Sequence, residues 1–157
     1  MTMTQEEFRV EQIDHVELFV PDRQAAAAWY AATLGIAPLA AHADWAADAQ
    51  GPLMISSDGG RTMIALFTGE AQGRHPVTGV RRIAFRVDGA GFLAFLRRLA
   101  DYPVFDRDGR AVQTLEAVDH DKSWSVYFFD PYGTPLEVTT YDYTWVRDRL
   151  LAGDGAE

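Results

Sequence analysis

The chain contains no cysteine. Disulfides, thiolate metal ligands and a cysteine nucleophile are therefore excluded, and a cytoplasmic setting fits. It also lacks any apolar run near the roughly 20 residues needed to span a membrane. The opening MTMTQEEFRVEQ is polar and acidic, unlike the basic start and apolar centre of a signal peptide. We therefore expect a cytoplasmic protein with no membrane partner. Positive charge is scarce, with 14 Lys and Arg against 23 Asp and Glu, for a net charge of −9. No basic cluster goes beyond Arg81–Arg82 and Arg97–Arg98. A nucleic-acid partner is not expected, because phosphate contacts need a basic face. The acidity serves solubility, with long-range attraction of a cationic ligand as the sharper reading.

What is present is an ordinary globular composition, 48% hydrophobic in 157 residues, enough for one domain or two small subdomains sharing a core. The most informative stretch is SVYFFDPYGTPLEVT, residues 125–139. Val126, Tyr127, Phe128 and Phe129 suit a pleated, half-buried strand. Asp130-Pro131-Tyr132-Gly133 then makes a turn, with Pro131 presetting φ and Gly133 free to take positive φ. A second strand runs from Pro135 to Thr140 with a carboxylate, Glu137, between Leu136 and Val138. An unpaired buried carboxylate is costly, so Glu137 requires a cation, a hydrogen-bonding partner or water.

Read in order, residues 1–11 form a loose arm and Gln12 to Val20 a strand. Ile13, His15, Glu17 and Phe19 share one parity of that strand. Pro21-Asp22 ends it. Asp22 caps an alanine-rich helix over Arg23 to Leu34, which Gly35 terminates. Ile36 to Trp45 starts a second strand, Ala46 to Gly51 is a loop, and Pro52 to Ser56 and Arg61 to Phe67 flank the hairpin turn Ser57-Asp58-Gly59-Gly60. After a linker the order recurs. Val80 to Val87 is a strand carrying Arg82 and Arg86 on one parity, and Ala90 to Leu99 is a helix with its apolar stripe at helical spacing. Extended segments follow at Val104 to Arg107 and Val112 to Val118. Asp119 to Trp124 is a loop, and the Glu137 hairpin closes the copy. From Asp142 a short helix leads to a glycine-rich tail. Two copies of strand, helix and about three strands emerge, neither large enough to bury both faces of its sheet alone.

Paired βαβββ modules with DHVELFV near the start and SVYFFDPYGTPLEV near the end resemble the vicinal oxygen chelate superfamily, which includes glyoxalase I, extradiol dioxygenases, fosfomycin-modifying enzymes and bleomycin-resistance proteins. The likeness covers about residues 12–141. It implies an α+β fold in which two βαβββ modules form a cupped, open-barrel mixed sheet within a single domain. Module one would span 12–68, a linker 69–79, module two 80–141, and a C-terminal helix and tail 142–157. It implies a divalent metal ion (Zn, Fe, Mn or Ni), a small-molecule ligand with vicinal oxygens, and a homodimer. Carried over by position, His15 matches the ligand of the first strand and Glu137 that of the last strand. The second-module counterpart of His15 falls on Arg82, and the first-module counterpart of Glu137 on Ile64 or Ala65, none of which ligates a metal. His120 and Tyr127 resemble the acid/base and hydrogen-bond-donor pair of the extradiol enzymes. Arg82, Arg86 and Glu17 are candidates for substrate contacts, and Arg82 is also a candidate partner for Glu137.

Three functions remain open at this point. One is a metal-assisted lyase, isomerase or dioxygenase-like enzyme, with His15 and Glu137 as metal ligands, His120 as a candidate third ligand or acid/base, and Tyr127 as a hydrogen-bond donor. The second is a metal-free binding protein similar to the bleomycin-resistance proteins. The third is a structural or regulatory protein with no small ligand.

Overall fold

A computed structural model describes residues 11–70 and 79–153. The expected arm up to residue 10, residues 71–78 of the expected linker with His75, and the end of the tail lie outside the described residues. The chain divides into two compact units, residues 1–70 and 71–157.

The first unit begins with β1 (His15–Phe19) and α1 (Arg23–Leu34). Asp22 caps α1 by accepting from the Ala25 N–H, and Gly35 ends it at φ 69°, a left-handed geometry that glycine adopts without strain. Then come β2 (Ala37–Pro38), a single 3₁₀ turn at Ala40–His42, α2 (Ala43–Ala46), β3 (Leu53–Ser56) and β4 (Met63–Phe67). The strand expected from Ile36 to Trp45 is thus only two residues long. Beyond Leu39 the run AAHADWA has few β-branched residues, and alanine favours the helical turns that form instead. The sheet order is β1-β4-β3-β2, with β1 parallel to β4 and the other pairs antiparallel. α1 packs on β3 and β4 and buries Ala26, Ala27 and Tyr30, while Ile55 and Leu66 are fully buried in the sheet. The sheet also carries a second cluster of Met54, Met63 and Ala65, with Leu39 and Phe67 against it.

The second unit repeats the plan. It contains β5 (Ile83–Arg86), α3 (Gly89–Arg98), β6 (Val104–Phe105), β7 (Ala111–Val112), β8 (Val118–Asp119), β9 (Trp124–Phe129), β10 (Pro135–Thr140) and α4 (Tyr143–Ala152). The segment expected to extend from Val112 to Val118 is interrupted, pairing only at its two ends. The sheet runs β5-β10-β9-β6-β7, with β8 also on β9. β5 is parallel to β10 and β10 antiparallel to β9. α3 covers one face, where Phe95 meets Phe128 at 5.3 Å between ring centroids and Leu136, Val138 and Val126 are buried. The class is α+β, as the sequence implies.

The β9–β10 turn is held by Asp130, which is buried. Its Oδ1 accepts from the N–H groups of Tyr132 and Thr134, both at 2.8 Å. Gly133 sits at φ 90°, so a side chain there is strained. Asp130→Ala leaves both N–H groups without their acceptor and is expected to cost about 2 kcal/mol. Asp130→Asn, which keeps an acceptor oxygen, should lose less than half as much. Urea unfolding of the two variants checks this.

Candidate functional site

The register of the two sheets makes the duplication residue-exact. In the first unit the Val20 N–H donates to the Phe67 carbonyl; in the second the Val87 N–H donates to that of Thr139. Counting back along the paired strands, Glu17 faces Ala65 and Ala65 faces Met54. In the second unit Ala84 faces Glu137 and Glu137 faces Tyr127. Hence Ala65 is the counterpart of Glu137, Met54 of Tyr127, Glu17 of Ala84, and His15 of Arg82. The choice between Ile64 and Ala65 left by the sequence resolves to Ala65. Side chains alternate across a strand, so Arg82, Ala84 and Arg86 belong to one face of the second sheet together with Glu137 and Tyr127. This is the face opposite α3.

On that face the Arg82 guanidinium lies over the Tyr127 ring, 4.4 Å from its centroid, within range for a cation–π contact. The Tyr127 hydroxyl is 2.6 Å from Nε2 of His120, and the two rings meet edge to face at 6.1 Å. His120 reaches Tyr127 because β8 pairs with β9, Asp119 opposite Trp124. The loop after it is tight, with Asp121 at φ 66° and the His120 N–H donating to the Ser123 carbonyl. Arg86 extends over Tyr141, 5.0 Å from the centroid. Glu137 is half-buried, and among the described residues no ion pair joins it to Arg82. The expected fork between those two does not form; Arg82 takes the aromatic ring instead. Arg82 Nε is buried with no hydrogen-bond partner among the described residues.

His15 and Glu17 belong to the first unit. His15 Nδ1 donates to Asp14 at 2.7 Å, and Nε2 is 3.4 Å from Glu17 Oε1. Chiefly through the Asp14 hydrogen bond, with Glu17 adding and desolvation opposing, the imidazole pKa is raised above its ordinary value of 6.5.

The resemblance implies a metal, so its donors can be tested against what is present. Among the described residues no group of three or more His, Asp or Glu could hold an ion. Arg82 stands where His15 stands in the other copy, and a guanidinium does not ligate. Glu137's paired neighbours are Ala84 and Tyr127. Among the described residues, the donor types on the second unit's face, Arg82 and Glu137 with Ala84 and Tyr127 beside it, do not make up a divalent-metal site.

Sequence reasoning missed a second feature. Tyr143 donates its hydroxyl to Asp119 at 2.8 Å and stacks on Trp124 at 5.7 Å, which fastens the loop carrying His120. A cleft of about 610 Å³ opens nearby, lined by Tyr141, Tyr143, Trp145, Asp88 and Asp142. The alternation of aromatics at 141, 143 and 145 was the available signal. Asp142 and Asp88 each accept an N–H at the start of α3, so both carboxylates already serve the helix. The second sheet's face, by contrast, brings together Arg82, Tyr127, His120 and Glu137, while His15 and Glu17 stay in the first unit.

The comparisons with known proteins agree on the fold. A family model described as the Glyoxalase/Bleomycin resistance protein/Dioxygenase superfamily matches residues 12–138. Among solved structures, lactoylglutathione lyase from Agrobacterium tumefaciens is 22% identical over 84% of this chain and 95% of its own, with a TM-score of 0.56. The fosfomycin resistance protein FosX from Listeria monocytogenes is 14% identical over 84% and 94%, TM-score 0.59. TnmS3, an antibiotic binding protein from a Streptomyces species, is 19% identical over 86% and 99%, TM-score 0.60. No curated protein matches. No helix among the described residues is long and apolar enough to cross a membrane.

The His15 pKa sets a pH dependence. A pKa raised by folding contributes stability that is complete below the unfolded value and is lost as pH rises through the folded one. The His15 imidazole should therefore titrate above 6.5 by NMR, and Asp14→Asn should lower its midpoint. A midpoint unmoved by Asp14→Asn contradicts the assignment.

Proposed function

The chain belongs to the Glyoxalase/Bleomycin resistance protein/Dioxygenase superfamily, and we propose that it is a small-molecule binding member working without a resident metal, its ligand resting on the Tyr127 face of the second sheet. The observation that carries this reading is the Arg82 guanidinium stacked 4.4 Å from the Tyr127 centroid, at the register position His15 occupies in the first unit. A fixed positive charge there repels a divalent cation. Glu137, opposite Tyr127, then serves as a polar contact for the ligand. A relative of like fold described as an antibiotic binding protein is compatible with a sequestering role.

A second reading is catalytic, and one observation favours it. The 2.6 Å contact between His120 and Tyr127 joins a proton carrier to a hydroxyl able to stabilise a developing oxyanion. In that reading His120 moves the proton, Tyr127 donates to the oxyanion, and Arg82 and Arg86 orient a substrate with vicinal oxygens. The step is isomerase- or lyase-like and is carried by these groups alone.

Protein exposed to zinc, manganese, nickel or ferrous ions and then dialysed should retain less than about a tenth of an equivalent of metal. A panel of flat aromatic compounds should contain members that raise Tm, with the rise lost in Tyr127→Leu. A ligand at about 100 times its Kd adds about 2.7 kcal/mol, which is several degrees for a chain of this size. One equivalent of retained metal, lost in both His15→Ala and Glu137→Ala, contradicts the reading.

A further inference from the structure

We infer that Arg82 anchors an oxyanion on the second unit's open face: a carboxylate, enolate or phenolate oxygen carried by a flat conjugated body. This deepens the small-molecule reading above and rests on it. Arg82 Nε is the one buried side-chain nitrogen or oxygen that lacks a hydrogen-bond partner among the described residues. A donor left unmade in a buried place is costly, and a charged one more so. Folded chains satisfy such groups, so the Nε left unpaired among the described residues is a position that a ligand oxygen can complete.

The surroundings define what completes it. No carboxylate pairs with Arg82 among the described residues; their ion pairs involve His15, Arg110 and Arg147. Glu137 shares the face yet leaves the guanidinium alone. The charge is therefore available, and its planar fork matches a carboxylate or a pair of adjacent oxygens. The residue as a whole is half-buried, so part of the guanidinium is reachable from outside while it rests on Tyr127.

Next to the fork is the Tyr127 hydroxyl, held at 2.6 Å by His120, as a second polar contact. Apolar groups stand beside them. Phe129 and Pro135 pair across β9 and β10 on the same side, and exposed Ala84 leaves room opposite Glu137. A conjugated body lies against these rings while its oxygens meet Arg82.

The test uses proton–nitrogen spectra of arginine Nε–H groups in the full chain, with the Arg82 signal identified by its loss in Arg82→Lys. Sodium benzoate is the probe, benzamide its neutral isostere and benzylammonium its cationic counterpart. Benzoate should shift the Arg82 Nε–H signal and bind about tenfold more tightly than benzamide. Arg82→Lys should lose about tenfold in benzoate affinity, because lysine offers no fork, while its unfolding temperature stays within a few degrees. Equal binding of benzoate and benzamide on this face, or unchanged benzoate affinity in Arg82→Lys, overturns the oxyanion inference and leaves the small-molecule reading standing. If none of the three probes moves any resonance of β5, β9 or β10, both fall.

Discussion

A positive charge resting on an aromatic ring organises the second unit's open face. Arg82 lies on Tyr127, Tyr127 bonds to His120, and Tyr143 fastens the neighbouring Asp119. Each contact depends on strand register. β10 between β5 and β9 sets Glu137 beside Tyr127 and Ala84, and Arg82 follows two residues earlier on the same side. A slip of one residue would turn all of these groups toward α3, where Phe92 and Leu136 are fully buried.

Duplication supplied the scaffold and divergence supplied the chemistry. Both units place a parallel pair beside an antiparallel one in matching register, but what stands at matching points differs. His15 contacts two carboxylates, Asp14 and Glu17, and its pKa is raised chiefly by the Asp14 hydrogen bond. Arg82 carries its charge always and has no carboxylate partner among the described residues. Ala65 replaces a carboxylate with a methyl group, and Met54 replaces a phenol with an apolar chain within a buried cluster. At these matching points the first sheet carries Ala65 and Met54, both buried, and the second carries Glu137 and Tyr127, both half-buried.

Much of the fold was legible because its signals are local. Asp22 and Gly35 bracket α1 at the expected residues, and Pro135 to Thr140 forms one strand with Glu137 in its interior. The pairing of His120 with Tyr127 came from the family resemblance alone, and the contact between them is 2.6 Å. Less legible was Leu39 to Trp45, where short-range alanine preference overrode the extended reading. Arg82 was harder still. Its two candidate partners, Glu137 and Tyr127, lie on the same face, and sequence does not weigh a solvated ion pair against a stacked ring. The Tyr143–Asp119 clamp spans 24 residues, and no local pattern announces it.

The account depends most on the Arg82–Tyr127 contact, and a double-mutant cycle on stability measures it. Arg82→Met and Tyr127→Leu, alone and combined, are compared by urea unfolding. The contact predicts a coupling of about 0.5–1 kcal/mol. Strict additivity, to within about 0.3 kcal/mol, would contradict it and remove the basis for a shared site on this face.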